Sequence, residues 1–121
     1  MYNNQAARAY QQTRRAVVTG RDLESMLLLK AAAQIQAVRD DWDGRKGDLL
    51  AALTYNRKLW TVLIDLILKP DNPLPREDKN NLFNIALFIF RHTVEVQANP
   101  TVEALAPLVD LNRAIAEGLR S

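Results

Sequence analysis

The chain has 121 residues, 48% of them hydrophobic and 25% charged; that length points to one domain, and that balance excludes wholesale disorder. It contains no cysteine, which rules out disulfides and thiolate metal sites and fits a reducing compartment. The formal net charge of +2 excludes a diffuse polycation, and the pI of 9.2 reflects only how little titrates between carboxylates and lysines.

The surplus charge is local. Arg8, Arg14, Arg15 and Arg21 all precede the first acid, Asp22. Beyond them, twelve basic residues meet fourteen acidic ones. The opening MYNNQAARAYQQ lacks an apolar h-region, so no secretory signal is expected. The longest apolar stretch, Leu59 to Leu68, spans ten residues around Asp65, about half of the roughly 20 a membrane span needs. A cytoplasmic protein with no membrane insertion is the expectation.

Glycines at 20, 44, 47 and 118 and prolines at 70, 73, 75, 100 and 107 divide the chain into segments of helical period. A first, basic helix is expected over about Asn4 to Val18, ended by Thr19-Gly20. Its thin stripe of Ala6, Tyr10, Thr13 and Val17 makes it the most mobile or partner-dependent element. The second, about Arg21 to Trp42, carries the seam Leu28, Ala31, Ile35, Val38, Trp42.

The third, about Asp48 to Lys69, has Leu49, Leu53, Asn56, Trp60, Leu63 and Ile67 in line. Pro70-Asp71-Asn72-Pro73-Leu74-Pro75 cannot be helical, since its prolines remove donors and fix φ. Pro75 suits the first turn of a fourth helix running to about Ala98, with Glu77 and Asp78 favoured by the dipole. A fifth, about Thr101 to Leu119, aligns Leu105, Leu108, Asn112, Ile115 and Leu119, with a kink or late start at Pro107. The fold class is all-α: an antiparallel bundle of four to five helices forming one domain over residues 1–121.

Chemistry is hard to find. The lone histidine, His92, has no partner residues for a metal site and reads as a surface or boundary side chain. Asp40, Asp41 and Asp43 with Gly44 fail the calcium-loop test, because Arg39 and Leu50 would occupy ligand positions. They read instead as a solvated helix end, against the macrodipole. Gly44-Arg45-Lys46-Gly47 lacks phosphate-loop spacing. Asp65, Glu95, Glu103 and Asp110 lie on polar arcs, and only Ser25 or Ser121 could join His92 in a nucleophilic arrangement. No catalytic, cofactor-binding or metal residue is assigned, and a non-enzymatic role is expected.

The unusual feature is surplus apolar face. In the third helix, Leu59, Val62 and Leu66 widen the arc of Trp60, Leu63 and Ile67 to roughly 200°, where a surface helix needs about 100°. Phe83, Leu87 and Phe90 do the same in the fourth, and Phe88 projects from its polar arc beside Asn84 and Glu95. Either neighbours cover both faces, or the two helices form a groove suited to an amphipathic helix, with the first helix as a lid. Trp60 belongs to the core, Arg57 and Lys58 could pair with Asp65 or Asp48 or touch a partner, and Asp71-Asn72 orients the third and fourth helices.

The run LLLKAAAQIQAVRDDWD, then LAALTYNRKLWTVLIDLILKPDNPLP, then NNLFNIALFIFRHT resembles the FlaF family of flagellar biosynthesis regulators over about Tyr10 to Leu119. The most diagnostic pieces are Asn56-Arg57-Lys58-Leu59-Trp60 and the later Pro70-Asp71-Asn72-Pro73-Leu74-Pro75. The resemblance implies a role in flagellin production and export, as a chaperone-like binder of flagellin acting beside or against FlbT, a repressor of flagellin translation. It supplies no site residues. A rival expectation is a post-transcriptional regulator working with FlbT, contacting flagellin mRNA through Arg8, Arg14, Arg15 and Arg21, although no stacking aromatic series accompanies them. A third is an adaptor that binds FlbT alone.

Overall fold

The computed structural model describes the backbone of residues 2–120 and the side chains of residues 21–120. Its helices are α1 (Tyr2–Asp40), the single turn α2 (Trp42–Arg45), α3 (Leu49–Ile67), α4 (Arg76–Ala98) and α5 (Ala106–Arg120). Short 3-10 turns occupy Lys46–Asp48 and Glu103–Leu105. No strand occurs among the described residues, and the fold is an all-α bundle of four long helices.

One boundary differs from the sequence expectation. The chain does not break at Thr19-Gly20; the expected first and second helices are one element, α1. An isolated glycine costs a helix only about 1 kcal/mol relative to alanine. Helix stops commonly use a left-handed glycine or a nearby proline; no glycine among the described residues has positive φ, and no proline follows Gly20 before position 70. The side chains of Arg8, Arg14 and Arg15, and the stripe Ala6, Tyr10, Thr13, Val17, lie outside the described residues.

Elsewhere the punctuation acts locally. Asp41 caps α2, its carboxylate accepting from the Gly44 N–H at 3.3 Å. Asp43 lies in the first turn of α2 and pairs with Lys46 at 3.8 Å. Asp40 accepts from Gln36 at 2.6 Å. The acidic cluster therefore serves mostly as the start of the next turn, where carboxylates are favoured, rather than as an uncompensated helix end. Asn72 ties off α3: its side chain donates to Leu66 O at 3.2 Å and accepts from the Leu74 N–H at 3.0 Å. Pro75 stands at the N-cap of α4, one residue before its first turn. Pro107 gives a late start, since α5 begins at Ala106 after the 3-10 turn.

The direction of packing follows from two bonds. Ser25 Oγ donates to Ala116 O at 2.9 Å, and Asn112 Nδ2 donates to Leu28 O at 3.3 Å. Later residues of α1 thus meet earlier residues of α5, so the pair is antiparallel. α3 packs on α1 and on α4, and the short connections reverse the chain each time. The result is an up-down-up-down bundle with α3 and α5 across a diagonal.

Leu28, Ile35, Val38, Leu53, Ile89, Val96, Leu105 and Leu108 are fully buried between the layers, each contributing about 1.5–3 kcal/mol by removal from water. Trp60 is enclosed, its indole N–H donating to Asn112 Oδ1 at 2.9 Å. Asn112 Nδ2 also donates to Asn56 Oδ1 at 2.7 Å. The distinctive Asn56 and Trp60 are therefore a polar clasp holding α3 to α5 across the core, with Leu28 O of α1 included.

Candidate functional site

Side chains large and apolar enough to anchor a partner remain in water on several helices: Leu23, Met26, Val62, Leu66, Leu68, Phe83, Leu87, Phe88 and Val94 among them. Most belong to two seams.

The first seam lies between α1 and α3. At 100° per residue, Tyr55, Leu59, Val62 and Leu66 fall on one edge of α3. Lys30 of α1 sits 5.5 Å from the Tyr55 ring centroid, so this edge faces α1. Leu23, Met26 and Lys30 share the matching edge of α1. Val62 and Met26 are 57% and 64% exposed, so the seam is open, while Leu59 is half-buried and packs on the core.

The second seam lies between α3 and α4. One edge of α4 carries Ile85, Phe88 and His92, and it faces α5: His92 Nε2 meets Ala104 O at 2.6 Å, and Phe88 and Ile85 border Leu111. The opposite edge carries Phe83, Leu87, Phe90 and Val94 and borders α3. Leu50, Arg57, Ile64 and Leu68 form the α3 side of that seam, opposite the Tyr55 row. Leu87 and Val94 are 41% and 62% exposed; Phe90 is half-buried against the core.

This arrangement corrects the expectation that Leu59, Val62 and Leu66 share one groove with Phe83, Leu87 and Phe90. Leu59, Val62 and Leu66 face α1, whereas Phe83, Leu87 and Phe90 border the far side of α3. A ridge of Lys58, Thr61 and Asp65, all exposed, stands between them. Helical period gives the width of an apolar arc; it does not say which neighbour meets each edge. Phe88 belongs to neither seam. It stacks on His92 with centroids 5.2 Å apart and planes 11° from parallel, so the Phe left over by the sequence has a partner at the α4–α5 edge.

Charges around the seams are mostly uncommitted. Arg57 and Lys58 are exposed, and neither forms an ion pair among the described residues with Asp65, Asp48 or any other acid. Asp65, Glu95, Glu103 and Asp110 are exposed, and Glu95 approaches His92 Nδ1 at 3.6 Å. Ser25 is buried and committed to Ala116 O, whereas His92 meets Ala104 near the other end of α5; the two cannot cooperate. Ser121 lies outside the described residues. No group of three or more His, Cys, Asp or Glu side chains able to hold a metal occurs among the described residues, and none of the described helices is long and apolar enough to cross a membrane.

A separate cavity of about 290 Å³ opens where α1 passes the end of α5, walled by Leu63, Leu66, Ile67, Leu82, Ile115 and Leu119, with Arg21 and Glu24 on one side. Desolvation there raises the Glu24 carboxyl above its ordinary value, against the opposing pull of the Arg21 guanidinium. Sequence reading did not single out this cavity. Its walls come from four helices and the loop before α4, and Glu24 alone gave no signal.

Comparison with the curated proteins and with the solved structures finds no match. The family model described as flagellar protein FlaF, by contrast, matches residues 6–119. That span includes the Asn56–Trp60 clasp, the Asn72 turn and both seams, and the chain belongs to the FlaF family of flagellar proteins.

Proposed function

We propose that this flagellar protein binds flagellin in the cytoplasm and promotes its synthesis or export by holding amphipathic flagellin segments against exposed helix seams, without catalysing a reaction. One observation carries this reading: Phe83, Leu87 and Val94, and separately Val62 and Leu66, remain in water at helical spacing. Rows at i, i+4, i+7 and i+11 match the apolar stripe of an incoming helix. Burial of that stripe favours the bound form by mass action and withholds the client from its other associations.

The test is binding of full-length flagellin against flagellin lacking its terminal segments. Binding to the first alone supports the reading; equal binding, or binding to neither, removes it. The rival, regulation with FlbT through flagellin message, draws on the four arginines before Asp22. Phosphate contacts by those residues require affinity for the message that falls steeply with salt, so RNA retention indifferent to salt excludes it.

A further inference from the structure

The two seams differ in the charge along their edges. On the α1–α3 seam the signs are mixed: Lys30 stands over Tyr55, and Asp48, in line with Tyr55 two turns before it, borders the same gap as Lys30. On the α3–α4 seam they are of one kind. Arg57 borders the row from α3. Arg91 stands on the outer face of α4 beside Leu87, and Arg76, the first residue of α4, lies in line with Phe83 two turns before it. All three are exposed, and none has an ion pair among the described residues. The nearest carboxylates lie off the row: Asp65 on the outer ridge of α3, Glu95 turned towards His92, and Glu77, beside Arg76, on the outer face of α4.

We propose that the α3–α4 seam is the client site, and that it selects an amphipathic helix whose apolar stripe is flanked by carboxylates. The row from Phe83 to Val94 extends about 17 Å, three turns of an α-helix. A helix laid along it covers Leu87 and Val94 and brings its flanking side chains within reach of Arg57 and Arg91, and one continued about 10 Å past Phe83 reaches Arg76 as well. Acidic flanks then meet three unpaired guanidiniums, which favours encounter and fixes orientation. Basic flanks meet like charge at each of them. This inference deepens the flagellin reading and rests on it for the client's identity, but its chemistry stands on the seam itself.

The experiment uses the full chain and two synthetic helical peptides with leucines at i, i+4, i+7 and i+11. One has glutamates and the other lysines at the same flanking positions. The glutamate peptide is expected to bind at least tenfold tighter at low salt, with the margin shrinking as salt rises. Leu87→Asp weakens both, and Val94→Asp does so independently, while helix content by circular dichroism stays that of the wild type because both side chains already face water. The triple variant R57E/R76E/R91E reverses the preference; a glutamate at position 76 also suits the first turn of α4.

Equal affinity for the two peptides, or binding untouched by Leu87→Asp, overturns the proposal. So does a wild-type dimer that Leu87→Asp converts to monomer while neither peptide binds, since a second copy is then the occupant. Flagellin bound undiminished by L87D overturns this proposal and leaves the flagellin reading intact. Flagellin unbound, with the glutamate peptide bound, leaves this proposal standing and removes flagellin as the client.

Discussion

Replacing Asn112 by alanine breaks the clasp at its centre, and the structure sets the cost. Asn112 accepts the Trp60 indole N–H at 2.9 Å and donates to Asn56 Oδ1 at 2.7 Å and Leu28 O at 3.3 Å. Trp60, Asn56 and Asn112 are all 0% exposed, so the groups left behind are shut off from bulk water. Two groups, the indole N–H and the Asn56 carbonyl, lose their partner; the Leu28 carbonyl remains in its helix. At about 1–3 kcal/mol for each buried group left unpaired, the loss is roughly 2–6 kcal/mol.

That is a large part of the 5–15 kcal/mol typical of a domain. Asn56→Ala should cost less, because Asn56 Nδ2 already lacks a partner and Asn112 keeps its bonds to Trp60 and Leu28. Urea unfolding followed by tryptophan fluorescence and circular dichroism reads both variants, with coincident transitions as the check on two-state behaviour. An Asn112→Ala protein within about 1 kcal/mol of the wild type refutes the reasoning. An Asn56→Ala protein that loses as much as Asn112→Ala refutes the assignment of Asn112 as the hub.

Three further outcomes are expected. Glu24 has a folded-state carboxyl raised by burial, so its ionisation opposes folding once the pH exceeds the ordinary carboxylate value, and the penalty is complete above the raised one. Glu24→Gln should therefore gain stability at pH 7 and gain little near pH 3, as read by urea midpoints; a constant difference across that range counts against the burial argument. His92→Phe keeps a ring against Phe88 but deletes the 2.6 Å contact with Ala104 O, a loss of about 0.5–1.5 kcal/mol in the same assay, whereas no change would mean that contact is idle. Val62→Ser and Val94→Ser, both on exposed edges, should each shift stability by less than about 0.5 kcal/mol, and a loss of several times that would place those side chains in the core.

What the sequence made legible was what depends on local period. Leu28, Ala31, Ile35 and Val38 of one seam, and Leu49, Leu53, Asn56, Trp60 and Leu63 of another, are buried as their spacing requires. The failures have two causes. Gly20 looked like a boundary because a breaker was weighed without asking whether a cap geometry existed to use it. Asn56 and Asn112 were visible as polar residues in apolar seams, but their pairing depends on α3 and α5 facing one another across a diagonal.

The candidate surface failed in the same way, since Val62 and Leu87 both lie on wide apolar arcs and only tertiary packing decides that one faces α1 and the other α3. The acidic run at Asp40–Asp43 was misread by being attached to the helix before it instead of the turn after it. For the asparagines and the surface the missing information was which elements are neighbours; for Gly20 and the acidic run it was local cap geometry.

The most direct measurement is methyl NMR of the full chain during titration with full-length flagellin. Methyl signals of Leu50, Leu68, Leu87 and Val94 should move or broaden as the client fills the α3–α4 seam, while those of the enclosed Leu28 and Ile35 stay fixed. Perturbation confined to Leu23, Met26 and Val62, or the absence of any change at saturating flagellin, contradicts the account.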